Sequence, residues 1–224
     1  MQTIKKVTET TEEYLEAIYK LQGKGENART MDLVRLLKVV PGSVTNTIER
    51  LEKEGFVTHE PYKGVKLTEK GKSVALQVIR RHRLCERLLT DVLCVEWENV
   101  HDAACKLEHA FTQDIINKLE KALGHPRTCP HGNPIPTECG GIFEEKTERL
   151  TNLEKGDSAM VVKITEEKTE ILKCFAALGI RPGTDVKVLN KNIKKALLVK
   201  IGKTEYELNG SMAAMIEVRK ARKE

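Results

Sequence analysis

Two histidines, a cysteine and a glutamate recur along His101 to Phe111 at spacings that let them share one ion. The stretch His-Asp-Ala-Ala-Cys-Lys-Leu-Glu-His-Ala-Phe holds no Gly or Pro and reads as helix. On a 3.6-residue repeat His101, Cys105, Glu108 and His109 fall at i, i+4, i+7 and i+8, which is one stripe. Ala104, Leu107, Phe111 and Ile115 mark a second, apolar stripe that packs inward. Two imidazoles, a thiol and a carboxylate form a soft-to-borderline donor set for a divalent transition ion. The same stripe also suits a polar face paired with neighbouring helices, because a buried His need not ligate anything. The helix alone leaves both readings open.

Other donors stand on other helices. His82 and Glu86 are an i, i+4 pair that can chelate one ion, and Glu13 and Glu16 are i, i+3 near the start. Each has a bland counterpart. Glu13 fits a capping box with Thr10, Glu16 suits a solvated face, and His82 sits in the basic run Arg80-Arg81-His82-Arg83. One shared cause explains all of them more simply than several separate ones.

The elements that must position these donors follow from pattern. Thr8 to Gln22 reads as a first helix with Tyr14, Leu15, Ile18 and Leu21 inward. Thr30 to Leu37 is a second helix, Val39-Val40-Pro41-Gly42 a turn, and Ser43 to Glu54 a third helix with Val44, Ile48 and Leu51 inward. Phe56 to His59 and Val65 to Thr68 read as strands around the turn Pro61 to Gly64. This order is the winged helix-turn-helix layout. A long helix follows to about Val92, then a helical region from Trp97 to Leu123. Their apolar residues Val74, Leu76, Val78, Leu84, Leu88, Leu89 and Leu93 exceed what one helix pair needs, which makes this surface a candidate dimer interface. Gly124 to Gly141 is a Pro-, Gly- and Cys-rich loop. Five short strands follow from Ser158 to Val218, interrupted by a helix over Glu170 to Ala177, and imply a small barrel.

The expected fold class is therefore α+β. A winged helix-turn-helix DNA-binding domain spans 1–73 and an all-α metal-binding and dimerisation domain spans 74–141. A linker covers 142–149 and an SH3-like β-barrel covers 150–224. Aromatics are only 4% of the 224 residues, so Leu, Ile and Val must build the cores. No apolar run reaches the ~18 residues of a membrane span, and the first residues lack a secretory pattern. A cytoplasmic location is the expectation. In a reducing compartment the six cysteines are ligands or core residues rather than disulfides; Cys85, Cys94 and Cys174 fall in apolar settings that suit a core.

Four separated stretches carry a resemblance. They are Thr10-Thr11-Glu12-Glu13-Tyr14-Leu15, Arg81 to Leu89, Val100 to His109 and Gly132-Asn133-Pro134-Ile135-Pro136. In order and spacing they resemble the diphtheria toxin repressor family of metal-dependent transcriptional repressors. The tail from about 150 resembles that family's SH3-like domain, which is related to the ferrous-iron transport A domain. The resemblance implies two metal sites per subunit in a homodimer that binds double-stranded operator DNA. One site matches His82, Glu86 and His101, with Glu167 and Glu170 as the matches in the C-terminal domain. The second, regulatory site matches Glu13, Cys105, Glu108 and His109. Iron-type members carry a Met where this chain has Glu13. Manganese-type members carry carboxylates at that position, at the position of Cys105 and at the position of Glu16. The chain is mixed. Fe(II) is the leading expectation because of Cys105 and the C-terminal domain, with Mn(II), Co(II), Ni(II) and Zn(II) as alternatives. Arg83 and Asn133 match an anion site, while Cys129 replaces the usual Ser there.

The DNA-reading segment is Pro41 to Glu54. Gly42, Ser43 and Asn46 face base edges in such a fold, Arg50 and Lys53 match phosphate contacts, and Lys63 and Lys66 lie in the wing. Residues 1–73 hold 13 Lys and Arg against 11 Asp and Glu, a net of only +2, so a winged helix used for protein contacts stays open on charge alone. Cys129, His131 and Cys139 have zinc-type donor chemistry without a standard spacing; they also fit an ordinary loop of the family. No nucleophile elbow or His-Glu-x-x-His signature supports a metallohydrolase. The expected function is a metal-dependent, Fe(II)-activated repressor rather than an enzyme. A Mn(II) sensor of the same fold and a metal-independent adaptor are the alternatives.

Overall fold

A computed structural model describes residues 7–23, 27–60, 63–192 and 196–221. The chain divides into two compact units, Met1–Arg81 with Pro136–Gly141, and His82–Ile135 with Ile142–Glu224.

In the first unit, helix α1 (Glu9–Gln22) is capped by Thr8, whose hydroxyl accepts from the Thr11 N–H at 3.3 Å. The expected capping box at Thr10 and Glu13 therefore gives way to a cap two residues earlier. Helix α2 (Thr30–Leu37) ends at Lys38 in the left-handed region, and α3 (Pro41–Lys53) starts on a proline, which loses nothing in a first turn where N–H groups lack helical partners. Leu15, Ile18, Leu33, Val44, Ile48 and Leu51 converge with Phe56 on one core. Strands β1 (Val57–Glu60) and β2 (Gly64–Leu67) pair antiparallel from Val57↔Leu67 to Glu60↔Gly64. Ala28 adds two backbone hydrogen bonds to Val65, both 2.9 Å. The result is a helix-turn-helix with a two-stranded wing. The wing turn expected at Pro61–Gly64 falls partly outside the described residues.

Helix α4 (Glu69–Arg87) contains the boundary between the units and passes into a π-helical turn, Leu88–Val92. Leu76, Val78, Leu84 and Leu89 are buried within the chain, so most of the surface expected for dimerisation is already covered; Val92 and Leu93 stay exposed. The helix expected from His101 through Phe111 does not form as one piece. Helix α5 (Val100–Leu107) stops at Glu108, and α6 (Gln113–Ala122) restarts at Thr112, whose side chain accepts from Ile115 N–H at 3.5 Å. A capping Thr followed by Asp114 in the first turn starts a new helix more favourably than it continues the old one. Phe111, beyond the end of α5, still packs against the helical core, and only Ile115 of the apolar stripe is exposed.

The C-terminal strands are β3 (Glu148–Arg149), β4 (Ser158–Ile164), β5 (Asp185–Lys191), β6 (Leu197–Ile201), β7 (Thr204–Leu208) and β8 (Ile216–Lys220), with α7 (Thr169–Ala177) and α8 (Gly210–Ala214) between them. Their order is β3-β8-β4-β5-β6-β7. Register shifts at Val161/Lys163 and Val188/Asn190 bend the sheet. It stays open between β3 and β7 and is not the closed barrel expected. A two-residue β3 that turns at once into a 3₁₀ segment, Leu150–Asn152, offers too few backbone groups to pair with β7. Val161, Leu172, Phe175, Val188, Val199 and Val218 form the core under this sheet, and Trp97 packs into it. Cys85 is buried as expected, whereas Cys94 and Cys174 are exposed; Cys94 lies past the end of the helical segment at φ 54°.

Candidate metal centre

The second unit gathers donors from four segments onto Glu86 of α4. Glu86 Oε1 lies 3.2 Å from His82 Nε2, 3.5 Å from His101 Nδ1 and 3.2 Å from His131 Nδ1. His82 is one helical turn before Glu86, so the i, i+4 pairing read from sequence is geometrically direct. His101 comes from the first turn of α5. Glu167, in the loop before α7, places Oε2 3.6 Å from His101 Nδ1 and Oε1 3.9 Å from His131 Nδ1. Cys105 Sγ is 3.9 Å from both His82 Nδ1 and His101 Nε2.

Outer partners orient the rings. Glu108 Oε2 sits 2.6 Å from His82 Nδ1, which turns His82 Nε2 toward Glu86. The other Glu108 oxygen pairs with His109 Nε2 at 3.2 Å. The Trp97 carbonyl accepts a hydrogen bond from His131 Nε2 at 3.1 Å, leaving His131 Nδ1 facing the carboxylates. This is the arrangement in which metal-binding imidazoles are held.

Cys129 and His131 come from the loop that sequence reasoning treated as ordinary. Both are fully buried, with Cys129 Sγ 4.0 Å from His131 Nδ1. The loop is stitched on two sides. Arg83 donates to the Pro134 carbonyl, and Arg87 Nε donates to the Thr128 carbonyl at 2.7 Å. The Ile164 N–H of β4 donates to the His131 carbonyl at 2.9 Å. Gly132 makes this docking possible. Its φ is +86°, and a Cβ there would lie 2.0 Å from the Val162 carbonyl oxygen. Gly132→Ala is expected to cost roughly 1–3 kcal/mol from backbone strain alone, with the clash added. At about 2–4 °C per kcal/mol for a chain of this size, a thermal melt reads the loss directly.

The remaining predicted residues are placed as follows. Glu170 is exposed on the first turn of α7 and does not join the Glu86 cluster. Asn133 donates to Glu167 Oε1 at 2.7 Å and to the Ile164 carbonyl at 3.2 Å, so the amide matched to an anion site holds a carboxylate. Arg83, the other anion match, is spent on the Pro134 carbonyl. Glu13 is exposed on α1, and Glu16 pairs with Lys20 at 3.0 Å. Gly42, Ser43, Asn46 and Lys53 are exposed on α3. Arg50 donates to the Thr11 hydroxyl at 3.1 Å and pairs with Glu54 at 3.3 Å. Lys63 pairs with Glu60 at 2.8 Å, and Lys66 is exposed on β2. Cys139 is exposed.

The electrostatics of the cluster are strongly coupled. Burial pushes the His82 imidazole down, but the Glu86 charge and the bonds to Cys105 and Glu108 outweigh it and leave its pKa well above the usual value. Burial likewise opposes His101, yet Cys105 and Glu86 raise it to about 10. His131 is raised, against burial, by Glu86 and Glu167. Glu86, despite burial, is held well below the carboxylate range by His82, His101 and His131. The Cys105 thiol is lowered by His101 and His82 against burial. Burial and the two carboxylates push Cys129 well up.

One observation tests whether this set fits a metal. Glu86 Oε2 is buried with no hydrogen-bond partner among the described residues. An orphaned buried carboxylate oxygen is costly, and a cation removes that cost. The nitrogen, oxygen and sulfur donors around it suit a borderline divalent ion.

A winged helix joined to a buried His/Glu/Cys cluster and a small C-terminal sheet defines a metal-responsive DNA-binding protein. Three family models match in order. They are the iron dependent repressor N-terminal DNA binding domain over residues 6–65, the iron dependent repressor metal binding and dimerisation domain over 68–137, and the FeoA domain over 148–220. The chain belongs to the family of iron- or manganese-dependent transcriptional repressors. The iron-dependent repressor IdeR of Mycobacterium leprae is 32% identical over 96% of this chain and 98% of its own length. The diphtheria toxin repressor of Corynebacterium glutamicum is 31% identical over 96% of this chain and 94% of its own. A solved manganese-dependent transcriptional repressor in complex with manganese superposes with a TM-score of 0.86 at 29% identity, over 94% of this chain and all of the other. The crystal structure of T. acidophilum IdeR superposes at 0.80 with 28% identity, over 99% and 100%. No described helix is long and apolar enough to cross a membrane.

Proposed function

We propose that the chain is a homodimeric repressor whose affinity for palindromic operator DNA is raised by Fe(II). The observation that carries the metal dependence is the buried Glu86 carboxylate, whose Oε1 meets three imidazoles while Oε2 has no hydrogen-bond partner among the described residues. His82, Glu86, His101 and Glu167 hold one ion. Glu13, Cys105, Glu108 and His109, with Glu16 beside them, hold the regulatory ion. The ion supplies positive charge that neutralises converging carboxylates and fixes the segments bearing them. Glu108 spans the two sites, because its two oxygens meet His82 and His109. Exposed Gly42, Ser43, Asn46 and Lys53 on α3 and Lys66 on the wing form the DNA-facing surface, with Lys63 beside them. The domains run 1–73, 74–141 and 150–224 around a linker at 142–149.

Metal raises DNA affinity only by favouring the DNA-binding arrangement, and DNA tightens metal binding by the same factor. A coupling of roughly 1–3 kcal/mol corresponds to about 5–150-fold. Anisotropy titration of operator DNA under anaerobic conditions should show that gain with Fe(II) and lose it with a chelator; equal affinities would end the proposal. A Mn(II) sensor is the second reading, supported by the carboxylates Glu13, Glu16, Glu86, Glu108 and Glu167. Cys105→Glu should shift preference from Fe(II) toward Mn(II), because a thiolate suits the softer ion.

A further inference from the structure

The outer face of the C-terminal sheet carries a groove that operator recognition by the winged helix leaves unused. Val186, Val188 and Val199 point into the core, so the alternation of β5 and β6 turns Lys187 and Lys200 to the opposite face. These two lysines are direct cross-strand partners, and Ser158 of β4 stands opposite Lys187 on its other side. With Asp185, Arg219 and Lys220 they line an open groove of about 880 Å³, four cations against one carboxylate. Two of the cations are committed, since Arg219 pairs with Glu145 and Lys220 with Asp157 at 2.5 Å. Lys187 and Lys200 make no ion pair among the described residues, although Glu205 of β7 stands opposite Lys200. Like charges directly opposite one another destabilise a sheet. A polyanion lying in the groove turns that cost into attraction.

We propose that this groove is a second DNA contact, one that grips the phosphate backbone of duplex flanking the operator. The inference rests on the operator-binding reading above and extends it. Chemistry selects the occupant. No aromatic side chain lines the groove, so it has no platform on which unpaired bases stack. None of the large exposed apolar side chains lies there, so nothing anchors it in a lipid surface. A duplex backbone needs neither, because lysines and hydroxyls position it without reading its bases. Ser158 supplies such a hydroxyl beside Lys187. The sequence adds two more cations, Arg222 and Lys223, directly after Ala221 at the groove's edge. DNA held by the winged helix is already at high effective concentration around the same chain, so even a weak second contact adds affinity. Such a contact lengthens the footprint and steepens the salt dependence, and it leaves the choice of operator to α3.

The metal-loaded whole protein is titrated by anisotropy, over a range of salt, against a minimal operator duplex and against the same operator extended on both sides by unrelated sequence. The wild type should bind the longer duplex more tightly, with a steeper fall of log affinity against log salt. The double variant Lys187→Gln, Lys200→Gln should match the wild type on the minimal duplex and lose most of the gain on the longer one. Its slope there should be shallower by about 0.9 per phosphate contact, or roughly 1.8 for each subunit engaged. Without DNA it should melt at or above the wild-type temperature, because the opposed charges are gone. Equal slopes for wild type and variant on the longer duplex would overturn the second contact while operator binding stands. So would a variant that melts lower and weakens equally on both duplexes, which would make the lysines structural. Wild type retained by anionic phospholipid vesicles through these lysines, with no gain from duplex length, would give the groove to a membrane surface and overturn the proposal too. Failure of the metal-loaded wild type to bind either duplex would overturn the operator-binding reading itself.

Discussion

Glu86→Ala should abolish metal responsiveness. The side chain is completely buried, and its Oε1 is the meeting point of His82, His101 and His131. Loss of an outer-shell partner alone typically costs about 10–100-fold in metal affinity. Removing the donor that all three imidazoles share should exceed the upper end of that range. Competition with a chromophoric chelator measures it, and operator affinity in the same variant should no longer change on adding Fe(II). The metal-free chain should suffer as well. The imidazoles that Glu86 keeps protonated lose their counter-charge, and removing one partner from a buried ionic network usually costs about 3–5 kcal/mol. Glu86→Gln separates the two effects, because it preserves volume and abolishes charge. Unchanged metal affinity in both variants would remove Glu86 from the centre.

The contrast between Glu86 and His131 shows what could be read from the chain alone. Glu86 was legible because a helix places residues four apart on one face, and no tertiary knowledge is needed to pair it with His82. The winged helix was legible for a similar reason. Leu15, Ile18, Val44, Ile48 and Leu51 repeat at helical spacing, and all of them are buried. His131 and Cys129 have no such periodicity. They enter the cluster only because Gly132 adopts φ +86° and lets the loop lie against β4. The signal available was their chemistry, a Cys and a His two residues apart in a Pro-rich loop, without a spacing rule to assign it. Glu167 and Glu170 show the same limit. Both carboxylates precede or open α7, but the helix starts at Thr169, so Glu167 stays in the loop facing the cluster and Glu170 turns to solvent. The break at Glu108 was hidden because nothing between His101 and Phe111 forbids a helix. Thr112, one residue beyond, decides it by capping the next one. That break frees Glu108 from a straight stripe and lets it reach His82 and His109 together. β3 was beyond reach because two residues carry no alternation.

Metal affinity should rise steeply with pH across the neutral range. In the metal-free chain His82, His101 and His131 all have raised pKa values, and His101, at about 10, carries its proton at pH 7. A ligating imidazole must be neutral, so binding expels such protons. Each proton displaced contributes about a tenfold gain in apparent affinity per pH unit. Titration calorimetry in two buffers of different ionisation enthalpy counts the protons released; a count of zero at pH 7 would refute this account. The stability of the metal-free fold must run the other way. A raised imidazole pKa stabilises the fold fully below its unfolded value near 6.5, and this is lost as pH climbs through the folded value, about 10 for His101. Glu86 is depressed, so its contribution is present above about 4.5 and disappears as pH falls through its folded value. The metal-free chain should therefore be most stable between these limits, in mildly acidic to neutral solution, and soften toward alkaline pH. Metal replaces the positive charge that deprotonation removes. The gain in melting temperature on adding Fe(II) or Co(II) should consequently grow as pH rises from about 6 to 8, because the ion and the protons compete for the same buried carboxylate.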